Sequence, residues 1–172
     1  MDDMQLLVKY GGEFAKLVAD YGKKFDRVRV LDGLTGTGEH KMCFSNAANA
    51  ILCRAGSTFN PPVKLKYVEG YAKSKAVPVR MSFHHAWLVD DDGAVIDPTW
   101  EDGFDYIGII FPHWLLAEIL LTTKHFSIYN RAGFDILHNY LMEVNDVSHK
   151  RISNEGYKPS GPQESHQAAR RV

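Results

Sequence analysis

The sequence predicts an α+β domain in which a cysteine-bearing helix packs on a small antiparallel sheet, with extra helices toward the C-terminus. Three observations lead there. Apolar residues recur at helical spacing from Leu7 to Phe25. Small apolar residues gather between Cys43 and Ala55. From Val77 to Val89 the pattern switches to an unusually long period-two alternation, the signature of a strand.

In chain order, Leu7, Tyr10, Phe14, Leu17, Val18, Tyr21 and Phe25 place one or two amphipathic helices over residues 3–25, with a break at Gly11-Gly12. Gly33, Gly36 and Gly38 mark a flexible loop over 33–42. A buried helix is expected from Cys43 to Ala55, ended by Gly56 at a left-handed C-terminal position. Leu65 to Ala72 reads as a strand. In the next strand Val77, Val79, Met81, Phe83, His85, Trp87 and Val89 share one parity. Asp91-Asp92-Gly93 is a turn, Ala94 to Asp97 a short returning strand, and 104–111 a further strand. Pro112 opens a helix reaching about Thr123, and Phe134 to Val144 fits another. Residues 1–148 are thus expected to form a single domain, and the polar stretch 149–172 a flexible tail.

Composition narrows the function. Apolar residues at 45% and charged ones at 24% are those of a globular chain. Twenty basic residues nearly cancel 21 acidic ones, so no global field favours nucleic acid or an anionic membrane. The longest apolar run, Ile107 to Leu121, is interrupted by Pro112, His113 and Glu118, and no membrane span is expected. Two cysteines make no disulfide framework, and the acidic start lacks the features of a secretory signal. A reducing cytoplasm is the expected setting.

Three stretches carry the chemistry: Met42-Cys43-Phe44-Ser45-Asn46-Ala47, His84-His85-Ala86-Trp87 and Ile96-Asp97-Pro98-Thr99-Trp100. A thiol needs a base, and the base a carboxylate that fixes its tautomer. At the start of a helix, Cys43 would meet the positive end of the helix dipole, which favours a thiolate. Cys53, near the other end of that helix, is expected to be an inert core residue. His85 shares a face with Phe83 and Trp87; His84 points the opposite way. The turn decides which histidine Asp97 can serve. A two-residue turn at Asp92-Gly93 sets Asp97 opposite Leu88, on the face of His84. A three-residue loop ending with Gly93 in the left-handed conformation sets it opposite Trp87, on the face of His85. The three-residue loop, and His85, are expected. Core packing is the expected job of Phe104, Tyr106, Phe111 and Trp114, with a substrate wall as the second reading.

Cys43, Gly70-Tyr71, His85-Ala86-Trp87 and Asp97-Pro98-Thr99, in this order, resemble the transglutaminase-like proteins of the papain-like cysteine group. The resemblance covers about residues 40–100. It implies Cys43 as nucleophile, His85 as general base and acid, and Asp97 as the orienting carboxylate. It further implies a hydrolase or acyl transferase that cleaves an amide of a protein, peptide or small molecule, without metal or organic cofactor. Glu69, Tyr71, Trp87 and Trp100 are candidate substrate contacts. The stretch before Cys43 lacks the glutamine that papain-like enzymes often use as an oxyanion donor. A silent binding or inhibitory protein on the same scaffold is the alternative.

Overall fold

A computed structural model describes residues 9, 11–52, 64–77 and 81–155. Among them are four helices, α1 (Gly12–Tyr21), α2 (Cys43–Leu52), α3 (His113–Thr123) and α4 (Phe134–Glu155). Five strands accompany them: β1 (Lys23–Phe25), β2 (Lys66–Ser74), β3 (Phe83–Val89), β4 (Val95–Ile96) and β5 (Gly103–Phe111). The α+β class and the antiparallel sheet are those expected. No helix among the described residues is long and apolar enough to cross a membrane.

The strand order is β1-β5-β2-β3-β4, with every neighbouring pair antiparallel. The sheet curls back on itself. β1 pairs with β5 at one edge, and three residues later Val28 bridges Val95 of β4 at the other. Three residues of chain span at most about 11 Å, so the two edges must approach one another. Residues paired across strands share a face. One face, turned into the curl, carries Phe25, Val68, Ala72, Trp87, Val89, Val95 and Tyr106 as a buried core. The opposite face carries Tyr67, Glu69 and Tyr71 from β2 opposite Leu88, Ala86 and His84 from β3. There Phe14 of α1 lies against Tyr71 and His84, and Phe44 of α2 against His84.

Two expected elements differ. Residues 23–25 continue no helix: the chain turns extended at Gly22, and Phe25 gains a buried place against Trp87 by pairing with β5. The long alternating strand is shorter than its pattern. β3 starts at Phe83, and Val77 belongs instead to the turn that ends β2, its N–H on the Ser74 carbonyl; Val79 lies outside the described residues. Asp102 accepts bonds from the Ser74 hydroxyl and the Ala76 N–H, a polar clasp on that turn which local pattern cannot foresee. Pro112 precedes α3 rather than opening it. α4 starts where expected and runs on to Glu155. Cys53 and Gly56 lie outside the described residues, as do positions 156–172. The chain up to Leu137 falls in one compact unit, and α4 from His138 onward in a second.

Candidate active site

Cys43 is the first residue of α2 and is 8% exposed. The glycine loop before it is anchored rather than flexible. Gly36 N–H donates to the Asp97 carbonyl at 2.9 Å, and Gly38 N–H to the Pro98 carbonyl at 2.7 Å. A Cβ on Gly38 would stand 2.4 Å from the Asn46 amide and 2.8 Å from the Pro98 oxygen, so only glycine permits this approach. The Asn46 side chain, one turn into α2, donates to the Glu39 carbonyl at 2.8 Å and to the Thr99 hydroxyl at 3.0 Å. These bonds knit the start of α2 to the strand end that carries Asp97.

The β3–β4 hairpin resolves the choice of histidine. Leu88 pairs with Ile96 and Val89 with Val95, which leaves the three-residue loop Asp91-Asp92-Gly93, closed by Asp90 N–H on the Ala94 carbonyl. Gly93 adopts φ 76°, the left-handed conformation this loop requires. Asp97 therefore shares the face of His85, and its Oδ2 lies 2.7 Å from His85 Nε2. The Cys43 side chain lies close enough to the same ring to help raise its pKa. With Nε2 committed to the carboxylate, Nδ1 is the nitrogen left for sulfur. Consecutive residues at the helix start, Cys43 and Phe44, thus meet consecutive residues of β3, His85 and His84, on its opposite faces.

Asp97 is fully buried and fully used. Oδ1 accepts the backbone N–H groups of Thr99 at 2.8 Å and Trp100 at 3.0 Å. Oδ2 accepts the Tyr106 hydroxyl at 2.7 Å besides His85. The Trp100 ring stacks on the His85 ring at 3.7 Å between centroids and 6° between planes. Burial works against a charged His85. The bond to Asp97, the Cys43 side chain and the nearby negative charge outweigh it, and the ring is pushed up to about 9. Burial and the Asp97 charge hold the Tyr106 hydroxyl far above its ordinary range, so it remains a donor.

A second polar centre lies on the other face of the sheet, around Glu69. Its Oε1 accepts His84 Nε2 at 2.8 Å, the Ser127 hydroxyl at 2.7 Å and Tyr129 N–H at 3.1 Å. Its Oε2 accepts Ile128 N–H at 2.7 Å and the Tyr67 hydroxyl at 3.1 Å. Burial first, then Glu69, raises the Tyr67 hydroxyl well above its ordinary value. Glu69 is 0% exposed, so it offers a substrate nothing; it fastens the loop after α3 to the sheet. Trp87 is likewise a core residue. Tyr71 is buried against Phe14, and its hydroxyl donates to the Gly11 carbonyl. Of the four candidate substrate contacts, Trp100 covers the imidazole face of His85, and the buried Trp87 lies stacked farther off, at 6.2 Å between ring centroids. His84 is held between Phe14 and Phe44 with its ring bonded to Glu69, a structural arrangement.

Sequence reasoning missed Tyr106 as a partner of Asp97. Nothing in the local pattern distinguishes it from the core aromatics around it, because an irregularity between Tyr71 and Lys73 shifts the β2–β5 register just there. Among the described residues no set of three or more His, Cys, Asp and Glu side chains is grouped to hold a metal ion. Beside the start of α2 a cavity of about 230 Å³ opens between Lys41, Met42, Phe44 and Ser45 on one side and His125, Phe126, Ser127 and Asn130 on the other. Comparison with protein-family models, curated proteins and solved structures finds no match for the chain.

Proposed function

We propose that this chain is a cysteine-dependent hydrolase or acyl transferase of transglutaminase-like type, acting on an amide bond of a protein, peptide or small molecule. One observation carries the reading: a single buried imidazole is shared between a helix-start thiol and a buried carboxylate at 2.7 Å. A ring kept protonated at neutral pH, beside a sulfur at a helix N-terminus, is the pairing that makes a thiolate available.

The Cys43 sulfur adds to the acyl carbon. As the C–N bond breaks, the leaving amine takes the His85 proton, and the acyl group stays on sulfur as a thioester. Water then gives a proton to His85 while its oxygen displaces sulfur, which releases the acid and restores thiolate and imidazolium. An amine in place of water makes the second half a transfer. Asp97 keeps Nε2 protonated and the ring aimed throughout. A reducing cytoplasm, where a free thiol persists, is the setting that suits this chemistry.

The small exposure of Cys43 favours one rival, a binding or inhibitory protein without turnover. Alkylation with iodoacetamide at mildly acidic pH, read at each cysteine by peptide mass spectrometry, separates the two. The enzyme reading expects Cys43 to react far faster than Cys53. Equal and slow reaction at both sites favours the binding role.

A further inference from the structure

The cavity at the start of α2 flanks the nucleophile on both sides in sequence: Lys41 and Met42 precede Cys43, and Phe44 and Ser45 follow it. Its far wall, His125 to Asn130, is rigidly made. Ser127, Ile128 and Tyr129 are bonded to the buried Glu69, and the Asn130 amide donates to the Ser127 carbonyl at 2.6 Å. A sheet carboxylate with no exposure therefore sets the distance between the loop and the helix start.

Resting on the acyl-transfer reading, we propose that this cavity is a specificity subsite that seats one neutral aromatic side chain of the substrate, next to the bond that Cys43 attacks. Size comes first. At about 230 Å³ it exceeds the roughly 150 Å³ of a cavity that takes benzene, which leaves room for a ring and its linking methylene. Surface chemistry comes second: Met42, Phe44 and Phe126 supply sulfur and ring faces, which suit an aromatic guest. Charge comes third. The lining includes Lys41 and His125 and no carboxylate, so a lysine or arginine side chain meets repulsion with nothing to pair with.

The test uses three active-site-directed alkylating reagents on the whole chain: chloromethyl ketones of N-acetyl-phenylalanine, N-acetyl-glycine and N-acetyl-lysine, with iodoacetamide alongside. Modification of Cys43 is followed by peptide mass spectrometry. The phenylalanine reagent should modify Cys43 about tenfold or more faster than the glycine reagent, since it alone buries a phenyl group in the cavity. The lysine reagent should be no faster than glycine. Met42→Trp, which fills the cavity, should bring the phenylalanine-to-glycine ratio toward one. Equal rates for all three reagents, with iodoacetamide still fast at Cys43, overturn the subsite and leave the nucleophile standing. A phenylalanine preference that survives Met42→Trp overturns the location. Slow reaction with every reagent, iodoacetamide included, overturns the underlying reading and the subsite with it.

Discussion

Replacing Glu69 by glutamine changes one atom and should still destabilise the protein severely. The carboxylate accepts five hydrogen bonds and donates none. An amide has one oxygen and one NH₂, and either placement fails. With the oxygen at the Oε1 position, the His84, Ser127 and Tyr129 bonds survive, but NH₂ faces the Ile128 N–H that stood 2.7 Å away. Tyr67 can adapt by rotating its hydroxyl toward the Phe126 carbonyl, already 3.4 Å off; a backbone N–H has no such freedom. With the oxygen at Oε2, NH₂ faces the Tyr129 N–H instead. The better placement loses one bond to a charged acceptor, costing about 1.5–3 kcal/mol, and sets two donors against each other. A total near 3 kcal/mol corresponds to a fall in Tm of about 6–12 °C for a chain of this size. Thermal unfolding followed by circular dichroism reads this directly, with Ser127→Ala as the comparison. That variant deletes a single side-chain donor and should cost about 1 kcal/mol. A Glu69→Gln midpoint within about 2 °C of the parent would refute the claim that the carboxylate is a pure acceptor hub.

Cys43→Ala should abolish iodoacetamide labelling at position 43 and leave the unfolding midpoint close to the parent, because the lost sulfur sits at a helix start and not in the sheet core. Tyr106→Phe should cost about 1–2 kcal/mol by urea titration and move the His85 NMR titration upward, since Asp97 Oδ2 is left with the imidazole as its one donor. An unmoved His85 midpoint would count against the shared oxygen. Gly38→Ala should destabilise by about 1–3 kcal/mol, because the added methyl meets the Pro98 carbonyl and the Asn46 amide. Stability should also depend on alkaline pH. His85 titrates near 9 when folded and near 6.5 when unfolded, so its contribution is complete below about 6.5 and fades as pH rises through about 9. The loss is at most about 3–4 kcal/mol, read from urea midpoints across that range; a flat profile would mean that the ring is not held charged.

The pairing of His85 with Asp97 was legible because it is set locally. Loop length and one glycine settle which face Asp97 takes, and both can be read within a few residues of it. Glu69 was not legible in the same way. Its parity with Tyr67 and Tyr71 is visible, but the loop that saturates it arrives from almost sixty residues away, after α3. Tyr106 hides for a related reason, since a shifted register between β2 and β5 governs where its hydroxyl lands. The short β1 shows tertiary pairing overriding local periodicity: Lys23–Phe25 continue a helical apolar pattern, yet Phe25 is worth more against Trp87. What the chain writes locally, it reveals; what depends on a distant return, it does not.

The few residues from Lys23 to Val28 act as a buckle on the curled sheet, gripping β5 with one end and β4 with the other. Synthesis reaches this buckle well before β5, yet it cannot fasten until Gly108 has left the ribosome, because Lys23 pairs with that residue. Until then two strand margins stand bare, each able to recruit a neighbouring chain. The interval between those two moments is when a nascent molecule is most open to entanglement with its siblings.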